Sequence, residues 1–330
     1  MLLNKKFAVT FSALVILIVL ASLLSLHFGV VSISPSEVFQ TFIGNGSAKQ
    51  ELVLFQIRLP SIILAILIGA GMAISGAILQ AITNNDLADP GILGINSGAG
   101  LAVVLYIAFF QQLGSNVYLL PMFAFVGALL TAVLIVALAW KGGFQSIRLV
   151  LVGIGVNAGL GALLIAFQLK MNPIDFMKAV VWLSGDLWAT QWKYVWALLP
   201  WYIVLIPFAL YKAKSLNVLT LGDSISTGLG INVAREKLIL LVLAVAFAGL
   251  GVSCGGGIAF LGLIAPHIAR RLVGAKHGLM LPVAAMLGAV ILLLADTIGR
   301  NIVLPAEIPA GIVVSLISAP YFIYLLMRSK

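Results

Sequence analysis

Charge is what this 330-residue chain lacks most: 9% of its residues are Asp, Glu, Lys or Arg, where a soluble domain carries about 25%. Acidic residues are the scarcer sign, 10 against 19 basic, for a net charge of +9. With 62% of residues apolar, a water-soluble globule of this length would have too little polar surface to cover itself. A soluble enzyme, a secreted domain and a disordered chain are thereby excluded. The single cysteine, Cys254, cannot form an intrachain disulfide, and its apolar, glycine-rich surroundings read as packing. The three histidines, His27, His267 and His277, show no metal-ligand spacing. There is no G-x-S-x-G elbow and no G-x-x-x-x-G-K-[ST] phosphate loop. A nucleotide-driven process would therefore need its ATPase on another polypeptide. No acidic residue falls at the middle of an apolar run, which counts against a proton relay and an ion-coupled secondary transporter. That carrier stays as the alternative reading, and an integral membrane enzyme as a third, which would need a polar catalytic set within the spans.

What the chain has is long, continuous apolar runs, unlike the alternating pattern of a β-barrel. They predict an all-α integral membrane protein with about ten transmembrane helices: Phe7–Phe28, Pro60–Ile82, Ile92–Phe110, Val117–Trp140, Ile147–Leu169, Trp192–Tyr211, Leu238–Cys254, Ile258–Ala269, Met280–Gly299 and Pro309–Met327. The first, behind Lys5 and Lys6, is too long for a secretory signal core and reads as a retained span. The eighth is short and is tolerable only if packed inside protein. Alternating the spans from an inside N-terminus puts thirteen of the nineteen basic residues, from Lys5 and Lys6 through Lys141, Arg270 and Arg271 to Lys330, on the cytoplasmic side. That asymmetry places both termini inside. Basic charge in so apolar a chain reports membrane orientation, with no nucleic-acid partner implied.

Glycine, 33 residues, clusters at Gly69, Gly71 and Gly76, at Gly94, Gly98 and Gly100, and from Gly249 to Gly257. Two readings stand open: close helix packing, or a smooth pathway wall. Ala70-Gly71 with Ser75-Gly76 is echoed 178 residues later by Ala248-Gly249 with Ser253 and Gly255, as an inverted repeat would be. Asp296 and Arg300 stand four apart and can pair on one helix face. The segment 170–191, with Trp182 and Trp188, suits a short interfacial helix or an aromatic belt. The polar inner loop of about 212–237 is long enough to be a structured element or a partner surface.

Two motifs are more specific. Asn84-Asn85-Asp86-Leu87-Ala88-Asp89-Pro90-Gly91-Ile92-Leu93-Gly94 makes a tight polar turn between the second and third spans, and Gly257–Arg271 joins the eighth span to a basic inner edge. With Gly76-Ala77-Ile78-Leu79-Gln80, Leu294-Ala295-Asp296-Thr297, Glu307-Ile308-Pro309-Ala310-Gly311 and Ala319-Pro320, these blocks resemble the FecCD-like permeases, membrane subunits of ABC importers for ferric siderophores, haem and cobalamin. The resemblance runs from Arg58-Leu59-Pro60 to the C-terminus. It implies a cobalamin-importer-type permease fold over residues 1–330 as one transmembrane domain, in the cytoplasmic (inner) membrane. The implied partners are a second permease subunit, two ATP-binding cassette subunits and an extracytoplasmic substrate-binding protein. No cofactor and no catalytic residue are implied. Carried over residue by residue, Arg58 and Arg300 would dock the binding protein, where charge-assisted pairs set register. Where the family often has a second arginine after the proline, this chain has Ser61. Asn85 and Leu87 would form an inner gate, with the loop Lys141–Ser146 nearby, and Leu221, Gly222, Asp223 and Gly230 would belong to the knob that couples to the ATPase. The family's commonest cargo, ferric siderophore, is the expected one.

Overall fold

The computed structural model describes residues 2–29, 31–111, 116–140, 145–187 and 191–328. Lys141, Trp188 and Lys330 lie outside the described residues. Every regular element among the described residues is helical: α1 Leu2–His27, α2 Pro35–Phe42, α3 Ala48–Glu51, α4 Leu59–Thr83, α5 Ile95–Leu105, α6 Leu119–Ala139, α7 Ser146–Gln168, α8 Pro173–Leu183, α9 Trp192–Tyr211, α10 Ala213–Leu219, α11 Asp223–Gly228, α12 Val233–Gly255, α13 Leu261–Val273, α14 His277–Gly299 and α15 Ala310–Arg328. Wider, π-helical turns join α3 to α4 (Leu52–Arg58) and extend α5 (Tyr106–Phe110).

The chain is a multi-pass membrane protein. Among the described residues seven helices are long and apolar enough to cross a bilayer, and Ile95–Phe110, α13 and α15 supply the shorter remainder of the ten expected spans. At about 1.5 Å per residue, the 13 residues of α13 fall short of a hydrocarbon core of about 30 Å. Its run from Leu261 to Pro266 is buried, packed against α4 and α14, so that end is covered by protein and need not meet lipid. The 170–191 segment does contain a short helix, but it is α8, started by an Asn172 cap and Pro173, and only Trp182 of the two tryptophans lies in it.

α4 is the axis of the fold, with 78% of its most apolar window buried, against 11% for α1 and for α7. Its glycines decide between the two readings left open. A Cβ on Gly69 would run into the carbonyl of Gly288 on α14, and one on Gly288 into that of Gly69. A Cβ on Gly76 would run into the Gly262 carbonyl on α13. Gly98 and Gly127 hold α5 against α6 in the same way. These glycines serve backbone contact, which is what helices use in lipid, where the hydrophobic effect gives no drive for association. α4 lies on α12 and on α14. Ser75, one of the echoed serines, bridges α4 and α12 by donating to the Ala244 carbonyl at 2.7 Å.

Replacing Gly76 with Ala should cost about 1–3 kcal/mol or more, because both clashing groups are backbone and neither can rotate away. Gly278→Ala, where nothing lies within 4 Å, should be neutral or slightly stabilising. Thermal unfolding of the two purified variants checks this; equal midpoints would refute the packing account.

Candidate functional site

α4 starts beside Arg58 and ends before Asn84, and α14 returns from His277 to Arg300, so the two ends of the bundle hold different groups of residues. One end is rich in lysine and arginine. There α4 stops at Asn84, whose left-handed backbone (φ 51°) caps the helix. The Asn85 side-chain carbonyl accepts from the Leu87 amide at 2.9 Å, so both expected gate residues belong to one local turn. Asp89 then caps the next short turn by accepting from the Gly91 amide at 3.2 Å. The turn is bolted to α13. Asp86 pairs with Arg270, which also donates to the Gln80 side chain at 3.3 Å, and Gln80 donates to the Leu263 carbonyl at 3.2 Å.

The long loop 212–237 folds into α10 and α11. Gly222 (φ 98°) and Gly230 (φ 84°) take left-handed conformations that reverse the chain on either side of α11 and favour glycine. Three contacts fix this knob to the bundle. Lys237, at 1% exposure, reaches the Asp223 carboxylate at 2.8 Å. Lys212 pairs with Glu236 at 2.9 Å. The Asn217 side-chain oxygen accepts from the His277 backbone amide at 2.8 Å and lies 2.9 Å from its Nδ1, tying α10 to the start of α14. Lys237 is buried where its ammonium needs partners, so its pair with Asp223 helps locate the knob even where its net contribution to stability is small. Leu221, Ile225 and Leu229 are left projecting outward, each more than half exposed.

The gate turn and the knob meet. A cavity of about 770 Å³ is lined by Asn84, Asn85, Asp86 and Leu87 on one side and by Thr220, Leu221 and Gly222 on the other, with Gln80, His267, Arg270, Arg271 and His277 between them. Asn85, Leu87, Leu221 and Gly222 thus share one site, with Asp223 next to it and Gly230 beyond α11. The network residues Gln80 and Lys237 were not legible as partners. The contacts Gln80 to Leu263 and Lys237 to Asp223 span 183 and 14 positions, neither of them a helical repeat. The outward ridge could have been found, since Leu221, Ile225 and Leu229 are spaced by four in an otherwise polar loop.

Arg58 and Arg300 share the opposite end, near enough for each guanidinium to feel the other. Neither is a free surface cation. Arg58 is 5% exposed and donates to the carbonyls of Leu26, Val31 and His27 at the end of α1. Arg300 pairs with buried Asp296 at 2.9 Å, on one helix face as the spacing suggests. Beyond it the exposed residues Ile302, Val303 and Leu304 form the surface of that end.

A family model described as the FecCD transport family matches residues 16–328. The iron(3+)-hydroxamate import system permease protein FhuG of Bacillus subtilis is 54% identical, over 98% of this chain and 96% of that protein. The iron-uptake system permease protein FeuC of the same organism is 41% identical over 99% and 98%. Among solved structures, an inward-facing metal-chelate type ABC transporter matches with a TM-score of 0.85 and 29% identity, covering 96% of this chain and 98% of that one.

Burial pushes the Asp89 carboxyl up from 3.8 to about 6, and one of its oxygens has no hydrogen-bond partner. The folded state therefore holds the proton more tightly than the unfolded chain. The stability this gives is complete below pH 3.8 and is lost as pH rises through about 6. Asp89→Asn keeps a capping side chain and removes the buried charge. Its thermal midpoint should exceed that of the unsubstituted protein at pH 7 and converge with it at pH 4. Parallel profiles for the two proteins would contradict this.

Proposed function

The chain belongs to the FecCD transport family, and from that premise we propose that it is the membrane-spanning permease of a binding-protein-dependent ABC importer that carries a ferric hydroxamate siderophore inward. The observation that carries the reading is the shared cavity: a rigidly held knob and a gate turn lie against each other at one end of the bundle. Such an arrangement converts a push on Leu221–Gly230 into movement of Asn85 and Leu87 without any chemistry in the chain itself.

The basic end is assigned to the cytoplasm, with both termini, by the excess of Lys and Arg there. Two ATP-binding cassette subunits dock on it, one per permease. The second permease is a copy of this chain or a related one, and residues 1–330 act as one transmembrane unit. The knob's exposed Leu221, Ile225 and Leu229 suit a cleft in the ATPase, since they have no cover in this chain. On the outer side, Arg300 and Arg58 serve the binding protein. The burial of Arg58 supports a narrower part than direct contact: it ties the end of α1 to the foot of α4, beneath the surface that Arg300 supports. Hydroxamate cargo is proposed because the 54% identical relative is an iron(3+)-hydroxamate import permease. The alternative of an ion-coupled carrier gains nothing from buried Asp296, which is already paired to Arg300.

The test is reconstitution in liposomes with the ATPase and a hydroxamate-loaded binding protein. ATP-dependent accumulation of radioactive iron is expected, and none from the permease alone. Changing Ile225 and Leu229 together to Asp should lower uptake on the order of tenfold or more, by removing the apolar centre of the contact. Accumulation by the lone chain under a proton gradient, or undiminished uptake by the double variant, would contradict the proposal.

A further inference from the structure

The wall of the basic-end cavity contains more than a gate and a knob require. Arg270 is consumed by Asp86 and Gln80. Its neighbour Arg271 also lines the cavity, is exposed, and makes no ion pair among the described residues. His277, on the same wall, is 2% exposed. Its backbone amide and its Nδ1 both address the Asn217 side-chain oxygen. An amide N–H must donate, so the atom they share is the acceptor, and Nδ1 carries the imidazole's proton. Nε2 is left as a bare acceptor, buried and without a partner. The cavity thus presents a free guanidinium, while the buried Nε2 of His277 is closed off from it, and Leu221 and Gly222 form part of its rim.

We propose that this cavity is the second half of the ATPase interface. It receives an acidic side chain of the ATP-binding subunit on Arg271. The inference rests on the coupling reading above and extends it. Two arguments select this occupant. The cavity is continuous with the knob, so a partner that encloses Leu221 and Ile225 must bring a wall of its own cleft alongside. The charge is complementary to a carboxylate, and a guanidinium holds one with directional, charge-assisted bonds. Covering Arg271 in the docked state also places a charge-dependent contact beside the gate turn.

The experiment uses the complete importer in nanodiscs and the ATP-binding subunit that assembles with the unsubstituted permease. Arg271→Glu should weaken retention of that subunit about tenfold, Arg271→Lys by less, since it keeps the charge and loses the fork. Lys6→Glu, the same charge change at the same end beside Leu272, should leave retention unchanged. A scan of acidic-to-arginine changes on the ATPase should contain one that restores retention to Arg271→Glu. Equal retention by Arg271→Glu and the unsubstituted protein would overturn the proposal and leave the cavity to water. Equal retention together with weaker association with anionic-lipid vesicles would overturn it in favour of a lipid headgroup. If the unsubstituted chain retains no ATP-binding subunit at all, the coupling reading falls and this one with it.

Discussion

Backbone contact between α4 and its two neighbours α13 and α14 is the constraint on which the rest of the molecule depends. Side chains at Gly69, Gly76 or Gly288 would push those helices apart, and each meets a carbonyl group that cannot move aside. Helices that touch through their backbones have few ways to slide, because the contact has no flexible side chains to adapt it. The gate turn leaves one end of this block through Asn84, and α14 begins at the same end with His277. The Arg270 network and the Asn217–His277 contact therefore attach turn and knob to one stiff body.

A stiff body suits a protein that performs no chemistry. If the driving force comes from another subunit, the permease must transmit displacement with little loss. The buried Lys237 helps in this, since its ammonium needs partners and Asp223 is one of them. The contrast is α7, which has open space beside Gly155, Gly159 and Gly161 and little buried surface. A stiff centre with a loosely covered flank fits a subunit that pivots against a second permease.

The helices were legible because lipid leaves few options: continuous apolar runs must satisfy their backbone internally, so their ends could be placed to within a few residues, as at Trp192–Tyr211. The short eighth span was legible too, with the burial it needed. The site was legible only in pieces. Asn85 and Leu87 announced a turn through Asp, Pro and Gly chemistry, and Gly222 and Gly230 announced reversals. That these meet at one cavity depends on how α4, α10, α13 and α14 cross, which local spacing does not encode. Arg58 shows the same limit. A basic residue at a span's edge reads as surface, yet three carbonyls at the end of α1 enclose it.

Knob and gate turn, held on one stiff block, move as one. Spin labels at Ser224 on α11 and at Ala275 across the cavity, in a Cys254→Ser background, report on it directly by pulsed dipolar distance measurement in the assembled importer. The account predicts the same distance distribution before and after ATP binds, while labels spanning the two permeases shift. A distribution between Ser224 and Ala275 that moves or splits with nucleotide would show that the knob works loose from the α13–α14 block to which the gate turn is tied, and would contradict it.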